Sequence, residues 1–168
     1  MENPEAAKAL VVYDSVFGNT EKTARALARG IQRHCKVDCL NIKDAEVAKL
    51  PRYGLIAVGA PTQAFSAHKP MKDFLSKLEG GTSLQGTLGF AFETKIDSRL
   101  SGSAAKYIEK KLEEFGLRIV RTRASAIVSG GTRNNVLREG EEARFEEIGD
   151  ELGVALCKIR VAKTPEKG

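Results

Sequence analysis

Ser15, Gly18, Asn19 and Thr20 lie within one short stretch, between the apolar run Ala9-Leu10-Val11-Val12-Tyr13 and an amphipathic segment that opens at Glu21. Glycine lets the chain bend tightly there. Successive backbone N–H groups, with the Ser, Asn and Thr side chains, can then aim at one centre. A helix starting directly behind the turn adds its own free N–H groups and the positive end of its dipole. That combination suits a phosphate held by neutral donors, because Ser15-Val16-Phe17-Gly18-Asn19-Thr20 contains no Lys or Arg. The same residue types also make a plain helix N-cap, so the turn by itself leaves both readings open.

Two further polar stretches also follow apolar runs. Ala60-Pro61-Thr62-Gln63-Ala64-Phe65-Ser66-Ala67-His68 comes after Tyr53–Gly59, and Glu93-Thr94-Lys95-Ile96-Asp97-Ser98-Arg99 comes after Thr87–Phe92. Residues 8–14, Val37–Ile42, Tyr53–Gly59 and Thr87–Phe92 read as strands, and a fifth lies within Leu117–Val128, bent near its middle. Helical spacing places Ala24, Leu27, Ala28 and Ile31 on one face of residues 20–33. Asp44–Leu50 reads as a short helix stopped by Pro51. Pro70 opens a helix with Met71, Phe74, Leu75 and Leu78, ended by Gly80-Gly81. Ser101 and Ser103 offer caps for a helix with Ala104, Ile108, Leu112 and Phe115 on its apolar face, closed by Gly116. After a Gly/Asn loop from Ser129 to Asn135, Phe145, Ile148, Leu152, Ala155 and Leu156 mark the last helix. Five strands alternating with five helical segments predict a doubly wound α/β fold around a five-stranded parallel sheet. Ligands bind such sheets beyond the carboxyl ends of the strands, where strand order reverses. With order 2-1-3-4-5 the three polar stretches converge on that crevice.

Length and composition bound the function. At 168 residues the chain reads as one domain over 1–168, long enough to fold without staples. Its three cysteines, Cys35, Cys39 and Cys157, are an odd number without metal-type spacing, which argues against a disulfide framework, a zinc site or any other metal centre. The start of the chain lacks the pattern of a secretory signal, and no apolar run approaches the roughly 20 residues needed to span a bilayer, so a cytoplasmic protein without a membrane partner is expected. Net charge is +5, yet the charges are interleaved along the helices. Arg118, Arg121 and Arg123 form the least balanced segment, without aromatic interleaving, and no nucleic-acid partner is expected.

Taken together, Val12-Tyr13-Asp14-Ser15-Val16-Phe17-Gly18-Asn19-Thr20, Gly59-Ala60-Pro61-Thr62, and Phe92-Glu93-Thr94-Lys95 through Ser101-Gly102-Ser103-Ala104 resemble the first strand and the three flavin loops of the flavodoxins. The resemblance covers essentially the whole chain. It implies a flavodoxin-like domain that binds flavin mononucleotide (FMN). By position, Ser15, Val16, Phe17, Gly18, Asn19 and Thr20 would hold the phosphate. Pro61, Thr62, Gln63, Ala64 and Phe65 would line one face of the isoalloxazine, and Thr94, Lys95, Ile96 and Asp97 the other. Phe17 stands where the family often has a third hydroxyl. The family's aromatic sandwich is also reduced, for the chain has no Trp and its third loop no aromatic. Phe65 is the stacking candidate, or else an ordinary loop residue, and His68 sits at a helix start. Flavodoxin carriers tend to be acidic around the flavin, whereas this chain is basic and offers Lys95 and Arg99, with Lys95 expected at the pyrimidine edge.

The function implied is electron transfer with redox partner proteins or small-molecule donors and acceptors, the cofactor supplying the chemistry and no catalytic residue being assigned. An FMN-dependent NAD(P)H:quinone-type oxidoreductase is the alternative, so the chain reads more as a carrier than as a dedicated reductase. Phosphoacceptor receiver domains share the architecture but need clustered acids after the first strand, where Asp14 stands alone. The dinucleotide fingerprint and the Walker phosphate loop are absent.

Overall fold

A computed structural model describes residues 8–79, 83–130 and 134–163. Strands β1 (Ala9–Tyr13), β2 (Val37–Asn41), β3 (Leu55–Gln63) and β5 (Leu88–Ile96) alternate with helices α1 (Asn19–Gln32), α2 (Lys69–Leu78) and α3 (Ala104–Glu114). The short strand β4 (Ser66–Ala67) precedes α2, and β6 (Arg118–Ile119), β7 (Ala124–Ser129) and β8 (Val136–Leu137) precede α4 (Glu141–Lys163).

Alternation along the strands divides the core into two layers. Ala9, Val11 and Tyr13 of β1, with Phe90 and Phe92 of β5, face Leu27 and Ile31 of α1 and Phe145, Ile148 and Leu152 of α4. Leu10 and Val12, with Ile56 and Val58, face Met71 and Leu75 of α2 and Ile108 and Leu112 of α3. The first layer needs close helix contact. A Cβ on Gly30 would collide with the Glu146 carbonyl and one on Gly149 with the Leu27 carbonyl, so both positions demand glycine.

The sheet runs β2-β1-β3-β5-β7-β8, and within it the parallel strands β1, β2, β3, β5 and β7 keep the expected order 2-1-3-4-5. Among the described residues it has eight strands, however, not five. The expected fifth strand is split in two along β5, with β6 beside Leu88 and Gly89 and β7 beside Phe92 to Ile96. β4 and β8 are added antiparallel to β3 and β7. Two-residue strands have no periodicity to betray them.

The expected helix over Asp44–Leu50 is instead a 3-10 helix over Val47–Arg52 that contains Pro51. Its Glu46-to-Lys49 and Leu50-to-Tyr53 hydrogen bonds do not need the proline N–H. Of the expected α3 caps, Ser103 is the one used, accepting from the Lys106 amide. Gly116 ends the helix at φ 89, a left-handed conformation suited to glycine. The expected Gly80-Gly81 stop lies outside the described residues, as does the middle of the Ser129–Asn135 loop.

Candidate functional site

Because β1, β3 and β5 are neighbours, their carboxyl ends open side by side: Tyr13 is level with Gly59, Gly59 with Phe92, and Pro61 with Thr94. β1 delivers the chain into the Ser15–Thr20 turn. There Gly18 takes φ 89 and gives α1 no side-chain cap. The Ser15 hydroxyl accepts from the Gly18 amide at 3.1 Å and the Glu21 amide at 3.4 Å, which closes the turn from inside. First-turn amides at Asn19 and Thr20 are thus left for an outside acceptor. Asn19 donates its side-chain amide to the Asn135 carbonyl at 2.8 Å, tying the turn to the segment before β8.

The second stretch is a tight reversal, not a plain loop. β3 continues to Gln63 and pairs back with β4. The reversal forces Ala64 to φ 46 and Phe65 to φ 72, the two non-glycine residues in the left-handed region among those described. Such backbone is strained for L residues and clusters where function requires it. Phe65 is 72% exposed, with its carbonyl accepting from the Ser103 amide at 3.2 Å. A Cβ on Gly102 would collide with that carbonyl, so glycine is what lets the two backbones meet.

In place of the third polar loop, β5 runs on to Ile96, and period two then sorts its side chains. Thr94 and Ile96 point into the crevice. Lys95 points the other way, and its ammonium donates to the Gly102 carbonyl at 2.9 Å. Glu93, on that same side, is 2% exposed yet faces no cation among the described residues. Its carboxylate instead accepts from the hydroxyls of Thr62 (2.6 Å), Ser125 (2.6 Å) and Ser103 (3.1 Å to each oxygen) and from the Ala105 amide at 3.0 Å. Those donors come from β3, β7 and the start of α3, whose dipole favours an anion. Glu93 therefore locks the second and third stretches to the sheet.

The resulting crevice has a volume of about 370 Å³, within the roughly 300–1,000 Å³ usual for small-molecule sites. Val16, Phe17, Asn19, Thr20, Pro61, Thr62, Gln63, Ala64, Phe65, Thr94 and Ile96 line it, all anticipated from the sequence. Ser15 and Gly18 shape the turn. The structure does not bring the other two expected residues into the lining: Lys95 is turned to Gly102, and Asp97 is exposed, 3.2 Å from Arg138. Ser101, Val128 and Asn135 also line the crevice and were missed. Ser101 lies in the stretch that resembles a flavin loop but is not singled out there as a site residue, whereas Val128 and Asn135 have no local signal, because the β7–β8 segment arrives only through the fold.

Asp14 is buried at 7% exposure beside the turn, and His68 stands at the N-cap of α2. Their facing atoms, Oδ2 and Nδ1, are 3.6 Å apart, within ion-pair distance but beyond hydrogen-bond reach, and neither atom has a hydrogen-bond partner among the described residues. Burial first, and then Glu21, pushes the Tyr13 phenol up, so it stays neutral beneath the turn.

Neutral donors at a helix start and an apolar slot between Phe65, Pro61, Ile96 and Val128 fit a phosphorylated, planar ring cofactor. The flavodoxin family profile matches residues 11–149. The chain belongs to the flavodoxin family. It is accordingly an FMN-binding electron-transfer protein, a class that works with redox partners. Similar solved structures share the fold. A flavodoxin from the domain Archaea is 24% identical, with a TM-score of 0.74 over 89% of this chain and 99% of that one. Oxidised Flavodoxin 1 from Bacillus cereus is 21% identical, with a TM-score of 0.71 over 90% and 97%. Rubredoxin oxygen:oxidoreductase from Desulfovibrio gigas is 22% identical with a TM-score of 0.75, but this flavodoxin-family chain spans only 37% of that enzyme's length. Among the described residues no helix is long and apolar enough to cross a membrane.

Proposed function

We propose that this chain is a single-domain electron carrier that holds FMN in the crevice at the carboxyl ends of β1, β3 and β5. The observation that carries the reading is the convergence there of an uncapped α1 start, the Phe65 reversal and the Thr94–Ile96 strand end. Bound FMN supplies the redox chemistry, taking up or releasing electrons one or two at a time. The protein's own residues bind and orient it.

In this reading the Asn19 and Thr20 amides and the Thr20 hydroxyl hold the phosphate, with Ser15 keeping the turn closed. Phe65 covers one face of the ring system. Thr94 and Ile96 approach from the other side, together with Val128. Lys95 acts at one remove, fixing Gly102 and with it the Phe65 backbone. Partners are redox proteins or small-molecule donors and acceptors, and the setting is the cytoplasm.

Two measurements test this. The visible spectrum of the purified protein should show the two bands of an oxidised flavin, and titration of the apoprotein should give tighter binding of FMN than of riboflavin. Equal affinities would remove the phosphate assignment. A carrier should also be reduced slowly by NAD(P)H alone, and rapid turnover in stopped flow would make the protein a reductase instead.

A further inference from the structure

Beside the crevice runs a second, shallower groove, lined by Phe65, Gly102, Ser103, Lys106, Tyr107 and Lys110. Phe65 belongs to both. Lys106 and Lys110 are exposed one turn apart on α3, and Lys72 reaches across from α2 with its ammonium 5.2 Å from the Tyr107 ring centre. Among the described residues none of these three ammonium groups has a carboxylate within ion-pair distance. Of the acids nearby, Asp73 pairs with Lys69, Glu109 with Arg123 and Glu114 with Lys111, while Glu113, exposed three residues after Lys110, lies outside ion-pair distance of it. Like charges one helical turn apart repel. Leu100, 83% exposed, and Phe65 add apolar surface at the crevice end, where Arg99 is also exposed.

We propose that this groove is the docking surface for an acidic redox protein, the class of partner with which the bound FMN exchanges electrons. The proposal rests on the flavin reading of the crevice. Uncompensated lysines complement carboxylates, and a ring of one sign around an apolar contact steers an oppositely charged partner and fixes its register. Phe65, shared by the two grooves, places that contact next to the cofactor.

The test uses the whole FMN-loaded protein, with a plant-type [2Fe–2S] ferredoxin as acidic probe and cytochrome c as basic probe. Calorimetry should detect the ferredoxin, not cytochrome c, with Kd rising steeply between low salt and 0.3 M salt. Carbodiimide coupling followed by peptide mapping should join ferredoxin carboxylates to Lys72, Lys106 or Lys110. The double variant K106E/K110E should raise Kd at least about tenfold. K77E/K158E, with the same change in net charge on exposed sites away from the groove, should leave it within about twofold. Flavin absorbance should be unchanged in both variants. Equal losses in the two variants, cross-links elsewhere, preference for cytochrome c, or tighter binding of oligothymidylate to the same lysines would each overturn the proposal. Failure of the flavin reading is distinct, for it would appear as wild-type protein that takes up no FMN.

Discussion

The hydroxyls of Thr20 and Thr94 meet at 2.8 Å, although the two residues are 74 positions apart in the chain. Thr20 sits in the first turn of α1, and Thr94 near the end of β5, with the end of β3 lying between their strands. Both are buried and both line the crevice. This contact joins the end of the crevice proposed for the phosphate to the end proposed for the ring, and each hydroxyl retains capacity for a further bond.

Replacing Thr20 with Val keeps the shape and removes one donor at the proposed phosphate position. A hydrogen bond to a charged group contributes about 1.5–3 kcal/mol. Kd for FMN should therefore rise by roughly ten- to a hundredfold. Riboflavin, lacking the phosphate, should lose little. Fluorescence titration of both ligands checks this, and equal losses would move the phosphate away from Thr20.

Much of this site was legible in the sequence because its parts follow strands that are apolar on both faces. β1 and the turn behind it needed no tertiary information. What could not be read was where β5 ends. Glu93 and Lys95 look like loop residues, and it is the hydroxyls of Thr62, Ser103 and Ser125 together with the Ala105 amide that make a buried carboxylate tolerable at 93. Once β5 is known to reach Ile96, alternation alone turns Lys95 from the crevice to Gly102. An expectation that Lys95 faces a pyrimidine edge presumes a loop, where no such alternation holds. Asn135 was hidden differently, since β8 has only two residues and nothing local announces it.

Glu93→Gln tests that network. The amide keeps the size but presents an N–H₂ group to hydroxyls and an amide that were themselves donating. Leaving a buried donor unsatisfied costs about 1–3 kcal/mol. Urea unfolding of the apoprotein should report a loss of that order. FMN affinity should fall as well, because Thr62 and Ser103 flank the crevice. A variant as stable as the parent would mean that the carboxylate is not the lock described above.

A pH dependence should arise at the start of α4. Burial alone pushes the Glu141 carboxyl up, but the Arg144 guanidinium, the Ile127 amide and the charge of Arg138 outweigh it and hold the group below its usual range. The Ile127 amide donates to it at 2.8 Å, so it pins α4 to β7. A carboxyl depressed by folding stabilises fully above its unfolded value, near about 4.3, and the contribution fades as pH falls through the lower folded value. Stability of the parent minus that of Glu141→Gln should be constant from pH 7 to 5 and shrink below about pH 4. Urea midpoints across that range measure it, and a difference unaffected by pH would remove the charge from the explanation.

The Ala64-Phe65 reversal sets stability against binding. Left-handed backbone costs an L residue roughly 1–2 kcal/mol, a penalty that glycine escapes. Ala64→Gly should thus stabilise the apoprotein, less the entropy that glycine adds to the unfolded chain, for a net gain of up to about 1 kcal/mol. Phe65→Ala keeps the strained backbone and removes the ring, which is 72% exposed and so contributes little to the fold. Its loss should appear in binding, where aromatic stacking is worth about 0.5–1.5 kcal/mol beyond area. Kd for FMN and for riboflavin should then rise together, by up to about tenfold. That shared loss separates a ring contact from the phosphate effect at Thr20, which spares riboflavin. If Phe65→Ala changed neither affinity nor the flavin spectrum, the strain at Phe65 would have to serve the partner-facing groove alone.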